Sequence, residues 1–450
     1  MFHSLLKPDL LEMLAEGDAV GLGEFCNALH PAVIAEIIDE LSDEEIWRVL
    51  GNCNVTREVE ILEYLPVKRQ AELVQSLDRE KLSSLMHEMA PDDQVDLLEQ
   101  MDDAQVEKIL SLFAQTHRAE IRKLLSFPEG SAGSRMTTDY ASLPENITVG
   151  EALNQLRIQA PDRETIYYIY VVDSDRKLRG FISLRKLIMA RTTTQVADLM
   201  DRDVLSVRVD DDQEAVAQVI AKYDFLAVPV VDNQNQLVGI ITHDDVMDVL
   251  QEEATEDAHR LGAVAPLEDS YLETALKTII WKRGGWLMML FIAAFATAHV
   301  LKHFNSISQA YQWLSFFVPL VIASGGNAGS QTATLVIRTM ALGEVQRSQY
   351  LRLVGREVCV GLILGLSLAV VGFILSMGMI GMQGAFVVTF TTTLVVVMGT
   401  LIGSVFPLVV KQLGMDPALM STPLIAAVLD AFGIILYYNV AIIVLTMFGT

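Results

Sequence analysis

Between Tyr271 and the C-terminus the sequence holds nine Lys/Arg and five Asp/Glu, strung around apolar runs at about 284–301, 313–337, 357–380, 386–410 and 422–447. A helix needs about 20 apolar residues to cross the hydrocarbon core of a bilayer. No water is present there to satisfy backbone groups, so such runs fold as helices. Five crossings put the two ends of the chain on opposite sides. Arg338, Arg347, Arg352 and Arg356 lie around the second loop, Lys411 lies in the fourth, and Lys282-Arg283 precede the first run. The opposite loops carry Lys302 and, across 378–386, no charge. Basic loops stay on the cytoplasmic face, so the N-terminus is expected in the cytoplasm and the C-terminus outside, in a bacterial-type inner membrane.

The remaining 270 residues are a different material. They hold 24 basic and 52 acidic side chains, a net charge of −28. A nucleic-acid binder needs a basic footprint and is excluded; the apolar runs exclude an all-soluble enzyme. Cys26, Cys53 and Cys359 have no metal-binding spacing and build no disulfide framework, which suits a reducing compartment. The start, MFHSLLKPDLLEML, has no long apolar core behind a basic segment and is not read as a secretory signal.

Within residues 1–130 apolar side chains recur every 12 positions, at Leu29, Leu41, Cys53, Leu65, Leu77, Met89, Met101 and Phe113. Apolar pairs such as Ile37/Ile38, Ile61/Leu62, Leu73/Val74, Leu97/Leu98 and Ile109/Leu110 precede them at one-turn spacing. That is one face of a short helix. Ser42, Thr56, Pro66, Asp78, Pro91 and Asp102 stand where helix starts are expected. The pattern predicts an α-helical solenoid over about 20–125, by itself an interaction scaffold.

The next stretch is duplicated. Met136-Thr-Thr-Asp139 parallels Met200-Asp-Arg-Asp203, and Val171-Val-Asp173, Leu178 and Gly180-Phe-Ile-Ser183 recur 59 residues later as Val230-Val-Asp232, Leu237 and Gly239-Ile-Ile-Thr242. Each copy reads as α/β, and the pair resembles tandem CBS domains, at 136–195 and 198–255. Many CBS pairs bind adenosine ligands through Gly-x-x-Ser/Thr-x-x-Asp. Gly239, Thr242 and Asp245 keep that spacing, whereas the first copy has Lys186 in place of the Asp. ATP is thus a candidate ligand of the second copy only. His243 and His259 read as polar surface residues.

In the membrane half Asp430 lies within PLIAAVLDAFGIILYY, with no basic residue inside the runs to pair with it. A carboxylate at that depth is costly and marks an ion path more often than a structural hydrogen bond. Ser324-Gly-Gly-Asn-Ala-Gly-Ser-Gln331 falls in the second run. Its glycines would loosen a helix and let backbones approach, and Asn327 and Gln331 suit a pore lining.

GGNAGSQTATLVIR and DPALMSTPLIAAVLDAFG, behind a helical repeat and a CBS pair, resemble the MgtE family of magnesium channels over essentially the whole chain. The resemblance implies a homodimer in the lipid bilayer, an inter-protomer pore at Asp430, Ala426, Asn327 and Thr422, and closure by intracellular Mg²⁺. Thr422 stands where some members carry Asn, and Arg135 where an apolar residue is common. The resemblance further implies a connecting plug helix, 256–280, ahead of a five-helix transmembrane domain, 281–450. It also implies sensor carboxylates at Glu60, Asp92, Asp96, Asp212, Glu214, Asp224, Asp245, Glu253, Glu256 and Asp257, with Asp416 at the membrane face; Asp248 belongs to the same acidic group in the second CBS copy. The alternatives are a CBS-regulated carrier of another cation or of an anion, and a membrane-anchored sensor without transport. Anion passage would want Arg or Lys inside the runs, a bare sensor would need no intramembrane carboxylate, and no GxxxxGK[ST] segment supports a pump.

Overall fold

The computed structural model describes residues 3–267, 271–272 and 274–448. They divide into two compact units, Met1–Val249 and Leu250–Thr450.

The first unit opens with short helices: α1 (His3–Glu16), α2 (Ala19–Ala28), α3 (Pro31–Ile38), α4 (Asp43–Leu50), α5 (Val55–Glu63), α6 (Val67–Gln75), α7 (Arg79–Glu88), α8 (Pro91–Glu99), α9 (Asp103–Leu110) and α10 (Gln115–Leu124). The 12-residue period is one helix plus one turn. Alternate helices are neighbours, α3 on α5, α5 on α7, α6 on α8 and α8 on α10, which is how a solenoid buries faces that no single short helix could bury alone. The periodic pairs Ile37/Ile38, Ile61/Leu62, Leu73/Val74 and Leu97/Leu98 are all buried; each such side chain contributes about 1.5–3 kcal/mol on leaving water. Ser42 and Asp102 form reciprocal capping boxes with Glu45 and Gln105. The start of α5 differs from the expectation. Asn54 caps it, and Thr56, already inside the helix, donates instead to Glu88 on α7 at 2.6 Å.

Two three-stranded sheets follow. The first comprises β1 (Tyr140–Pro144), β2 (Thr165–Val172) and β3 (Leu178–Ser183), with helices α11 (Val149–Gln159), α12 (Leu184–Met189) and α13 (Val196–Leu199). The second comprises β4 (Val207–Arg208), β5 (Ala227–Val231) and β6 (Leu237–Thr242), with α14 (Gln213–Tyr223) and the start of α15 (His243–Leu261). The sequence offset is a structural offset. Tyr170 faces Phe181 as Pro229 faces Ile240, and the register slips at Val171/Val172 as at Val230/Val231. Asp173 and Asp232 each accept two backbone N–H groups to fold the hairpin turn. Arg176 and Asn235 take the left-handed position in those turns, at φ of 61° and 60°.

The second unit contains the end of α15, then α16 (Leu276–His303), α17 (Asn305–Ala310), α18 (Trp313–Ala341), α19 (Tyr350–Gln412) and α20 (Thr422–Phe448). Three helices among the described residues are long and apolar enough to cross a membrane, over Leu276–His303, Arg347–Gln412 and Thr422–Met447. The 63-residue α19 is two helices joined at Gly381, whose φ of 75° and ψ of −178° no helix accommodates. That break falls between the third and fourth apolar runs. α18 is continuous through Ser324–Gln331, so the glycines do not loosen it. They admit a neighbour instead: a Cβ on Gly399 of α19 would stand 2.6 Å from the Gly325 carbonyl oxygen, and one on Gly329 would stand 3.1 Å from that of Gly399. Small residues at matching heights let the two backbones touch.

The connector also departs from the expected helix over 256–280. α15 ends at Leu261, and Gly262–Leu267, Tyr271–Leu272 and Thr274–Ala275 are turn or coil; residues 268–270 and 273 lie outside the described residues. The helix next to the membrane domain is the last part of α15, and it arises from the second CBS copy.

Candidate functional site

On α20 the side chains of Thr422, Ala426 and Asp430 are spaced by four and form one stripe. That stripe lies beside the glycine segment of α18: a Cβ on Gly326 would sit 3.7 Å from the Ala426 Cβ, and Ser330 Oγ donates to the Thr422 carbonyl at 3.4 Å. Asn327 is exposed, on the same turn of α18. Asp430 is half-buried, and among the described residues no hydrogen bond or ion pair engages its carboxylate. Thr334, by contrast, donates to the Ser330 carbonyl of its own helix at 2.9 Å. Tyr437 donates to the Leu314 carbonyl at 3.0 Å and ties α20 to α18 at one end. A second carboxylate in the apolar runs, Glu357, accepts a hydrogen bond from buried Thr332 at 3.1 Å.

In the first unit Asp92, Asp96 and Asp245 belong to a larger acidic cluster than sequence spacing disclosed. Two helix N-termini supply its centre, α8 with Asp92 and Asp93, and α15 with Asp244 and Asp245; acids are favoured at such ends by the helix dipole. Glu63 joins from the end of α5, and Glu164 from the residue before β2. Burial, then repulsion from Asp245, Asp93 and Glu164, drives the Asp92 carboxyl well above its usual range. Its Oδ1 is closed off from solvent without a hydrogen-bond partner. Asp93 is pushed to about 9 by burial and by Glu63, Asp245 and Asp96. Glu63 reaches about 7, chiefly by burial. Glu164, more open to solvent, is also raised to about 7, by its enclosure and by Asp245 and Asp244. Asp245 reaches about 6, its rise limited by the 2.6 Å bond from Thr242 Oγ1.

These groups repel one another. No three carboxylates among the described residues converge closely enough to hold a bare metal ion. A hydrated Mg²⁺ does not require that, because its water shell spans wider gaps.

Other expected residues lie apart. Glu60 pairs with Arg57 at 2.7 Å on the solenoid surface. Asp212 caps the start of α14 and Glu214 follows, whereas Asp224 ends that helix; eleven residues of helix separate them by roughly 16 Å, so one chain does not join them around a single ion. Asp248 is exposed on α15. In the second unit Arg260 ion-pairs with both Glu256 and Asp416, so a guanidinium links the end of α15 to the loop before α20. Asp416 also caps the turn that follows it, accepting from Ala418 N at 2.8 Å. Asp257 is raised by burial and by Glu253, and Arg338 opposes the rise. Leu261 packs on a buried group that includes Ile337, Ala418 and Ile425.

Gly239, Thr242 and Asp245 also have structural work. A Cβ on Gly239 would meet Met136 Sδ at 2.7 Å, as one on Gly180 would meet Met200 Sδ at 2.9 Å. Each glycine therefore seats the methionine that leads the other copy. Thr242 and Asp245 cap α15.

A helical solenoid, a CBS pair with an acid-rich face, and a helical membrane domain with an unpaired carboxylate define a multi-pass transporter for cations with cytosolic-type regulatory domains. Family models agree: "MgtE intracellular N domain" matches residues 29–130, "CBS domain" matches 132–192 and 196–252, and MgtE, "Divalent cation transporter", matches 318–440. The magnesium transporter MgtE of Thermus thermophilus is 39% identical over 443 residues, 97% of this chain and 98% of that one. That of Bacillus subtilis is 31% identical over 436 residues, 96% of each. A solved cytosolic domain of the Mg²⁺ channel MgtE in complex with ATP is 41% identical, with a TM-score of 0.52, covering 54% of this chain and 100% of that one. The chain belongs to the MgtE family of magnesium transporters, and it is a transporter rather than an enzyme.

Proposed function

We propose that two copies of the chain form a Mg²⁺ channel whose pore runs between protomers along the Thr422–Ala426–Asp430 stripe. The observation that carries this reading is the Asp430 carboxylate, held on an apolar helix without a protein cation. Desolvating an unpaired charge costs several kcal/mol, and a fully hydrated divalent ion facing two such carboxylates offsets that cost without losing its inner waters. Asn327 lines the same path through water. Five crossings, with α19 counted as two, put the termini on opposite faces, and the basic loops put the N-terminus in the cytoplasm.

Cytoplasmic Mg²⁺ closes the channel. It binds the acids around Asp92, Asp93 and Asp245 and those between α15 and the membrane loops, and it favours the arrangement in which they lie close together. It can shift the equilibrium only by its preference for that state. An adenine nucleotide in the CBS pair is part of this reading, since a relative's cytosolic domain was solved with ATP.

The test is Mg²⁺ influx into liposomes holding purified protein. Asp430→Asn and Asp430→Ala are expected to insert and dimerise normally yet lose at least about 90% of the flux, on the scale of one lost charge contact. Wild-type flux in both would overturn the assignment.

A further inference from the structure

Neither transport nor Mg²⁺ sensing uses Cys26 and Cys53. Cys26 lies near the end of α2 and is fully buried; Cys53 lies in the turn between α4 and α5 and is partly exposed. That turn rests on α2. The Asn52 carbonyl oxygen stands 3.1 Å from where a Cβ on Gly23 would be, one helical turn before Cys26. Arg57, at the start of α5, donates from Nε to the Cys26 carbonyl at 3.0 Å and from Nη2 to that of Leu29. The guanidinium thereby clamps the end of α2 against the segment that carries Cys53. That contact brings the two thiols within interaction range of each other. The nearness of Cys26, with Arg57 and Lys81, favours the thiolate at Cys53 against burial and Glu58, whereas Cys53 and burial keep the Cys26 thiol protonated. A partly exposed thiol with thiolate character backed by a buried partner is the arrangement of a reactive and a resolving cysteine.

We propose that Cys26 and Cys53 form a dithiol that closes reversibly to an intramolecular disulfide by exchange with a low-molecular-weight disulfide such as oxidised glutathione. The Cys53 thiolate attacks one sulfur of the external disulfide. The S–S bond breaks, and one external thiolate departs with the electron pair and takes a proton from water. Cys26 then attacks Cys53 Sγ, and its proton passes to the departing external sulfur. The second external thiol leaves, so two protein thiols are oxidised by two electrons as one disulfide is reduced to two thiols. The product ties α2 to the α4–α5 turn across the intervening α3 and α4. In a reducing compartment such a bond is transient, which is how intracellular disulfides serve as sensors. Cys359, exposed on α19, is an internal control.

The test uses the full-length protein in detergent, exposed to oxidised glutathione, blocked with N-ethylmaleimide, digested and mapped by mass spectrometry. A peptide pair joined through Cys26 and Cys53 is expected, with both residues refractory to maleimide and released by dithiothreitol, while Cys359 carries only maleimide or glutathione. In Cys26→Ser, Cys53 should stop at the mixed disulfide with glutathione. Wild-type protein that yields both residues as maleimide adducts, or Cys53 as a mixed disulfide beside a free Cys26, would overturn the proposal. That wild-type map decides the matter even if the serine variant fails to fold.

Discussion

Single side chains separate path from packing. Asn327 and Thr334 lie two turns apart on α18, yet Thr334 spends its hydroxyl on its own helix at 2.9 Å, whereas Asn327 is exposed and follows Gly326, which approaches Ala426. Asn327→Leu is therefore expected to cut Mg²⁺ flux several-fold more than Thr334→Val; equal losses in the liposome assay would make the segment a packing motif. The raised carboxylates carry a pH signature. Glu63, Asp93, Glu164 and Asp245 titrate at about 7, 9, 7 and 6 in the fold, above the unfolded range near 4. The folded state thus binds more protons than the unfolded one. The stabilising effect is complete below about pH 4 and is lost as pH rises through 6 to 9. Without Mg²⁺, thermal unfolding of the first unit should shift down between pH 5.5 and pH 8.5, and 10 mM Mg²⁺ (roughly the scale needed to fill weak carboxylate sites) should restore it. Asp93→Asn should raise the Mg²⁺-free midpoint at pH 8.5 by roughly 2–4 °C, equivalent to about 1 kcal/mol; no rise would mean that the cluster is relaxed. Asp430 was legible in the sequence because one charge in an apolar run needs no third dimension to stand out. Glu63, Asp93, Glu164 and Asp244 were not, because they come from four segments that only the packing of solenoid on CBS pair brings together.

Among elements, the periodic ones were legible and the aperiodic ones less so. The 12-residue period and the 59-residue offset each recur in register, turn and core, since every copy solves the same burial problem with the same side chains. The cap at Asn54 and the end of α15 depend on single turns with no repeat to expose them. Spacing gave α18 its glycines but not their use, which depends on where α19 lies. Gly399→Leu would press a side chain into the Gly325 carbonyl, 2.6 Å from the new Cβ, whereas a Cβ on Gly355 of the same helix would meet nothing within 4 Å. Overpacking of that kind costs about 1–3 kcal/mol or more. Gly399→Leu should lower the melting temperature of the detergent-solubilised protein by several degrees, and Gly355→Leu should leave it unchanged. A matching drop in both variants would mean that α18 and α19 do not rely on this contact.

At the scale of the whole molecule, a net charge of −28 over the first 270 residues is self-repelling and makes compaction depend on cations. The acids around Asp92 and those from Glu253 to Asp257 lie at the two ends of the regulatory chain of elements, and α15 is the helix that joins them. Arg260 already supplies one fixed cation between Glu256 and Asp416; the remaining repulsion is what Mg²⁺ would relieve. The most direct test is channel activity in patches as a function of Mg²⁺ on the cytoplasmic side, for the wild type and for a variant with Asp92, Asp96, Glu256 and Asp257 replaced by Ala. The account predicts that the variant still conducts and closes only at Mg²⁺ concentrations on the order of tenfold higher, the equivalent of about 1.4 kcal/mol of lost preference for the closed state. Closure of both proteins at the same Mg²⁺ concentration would contradict it.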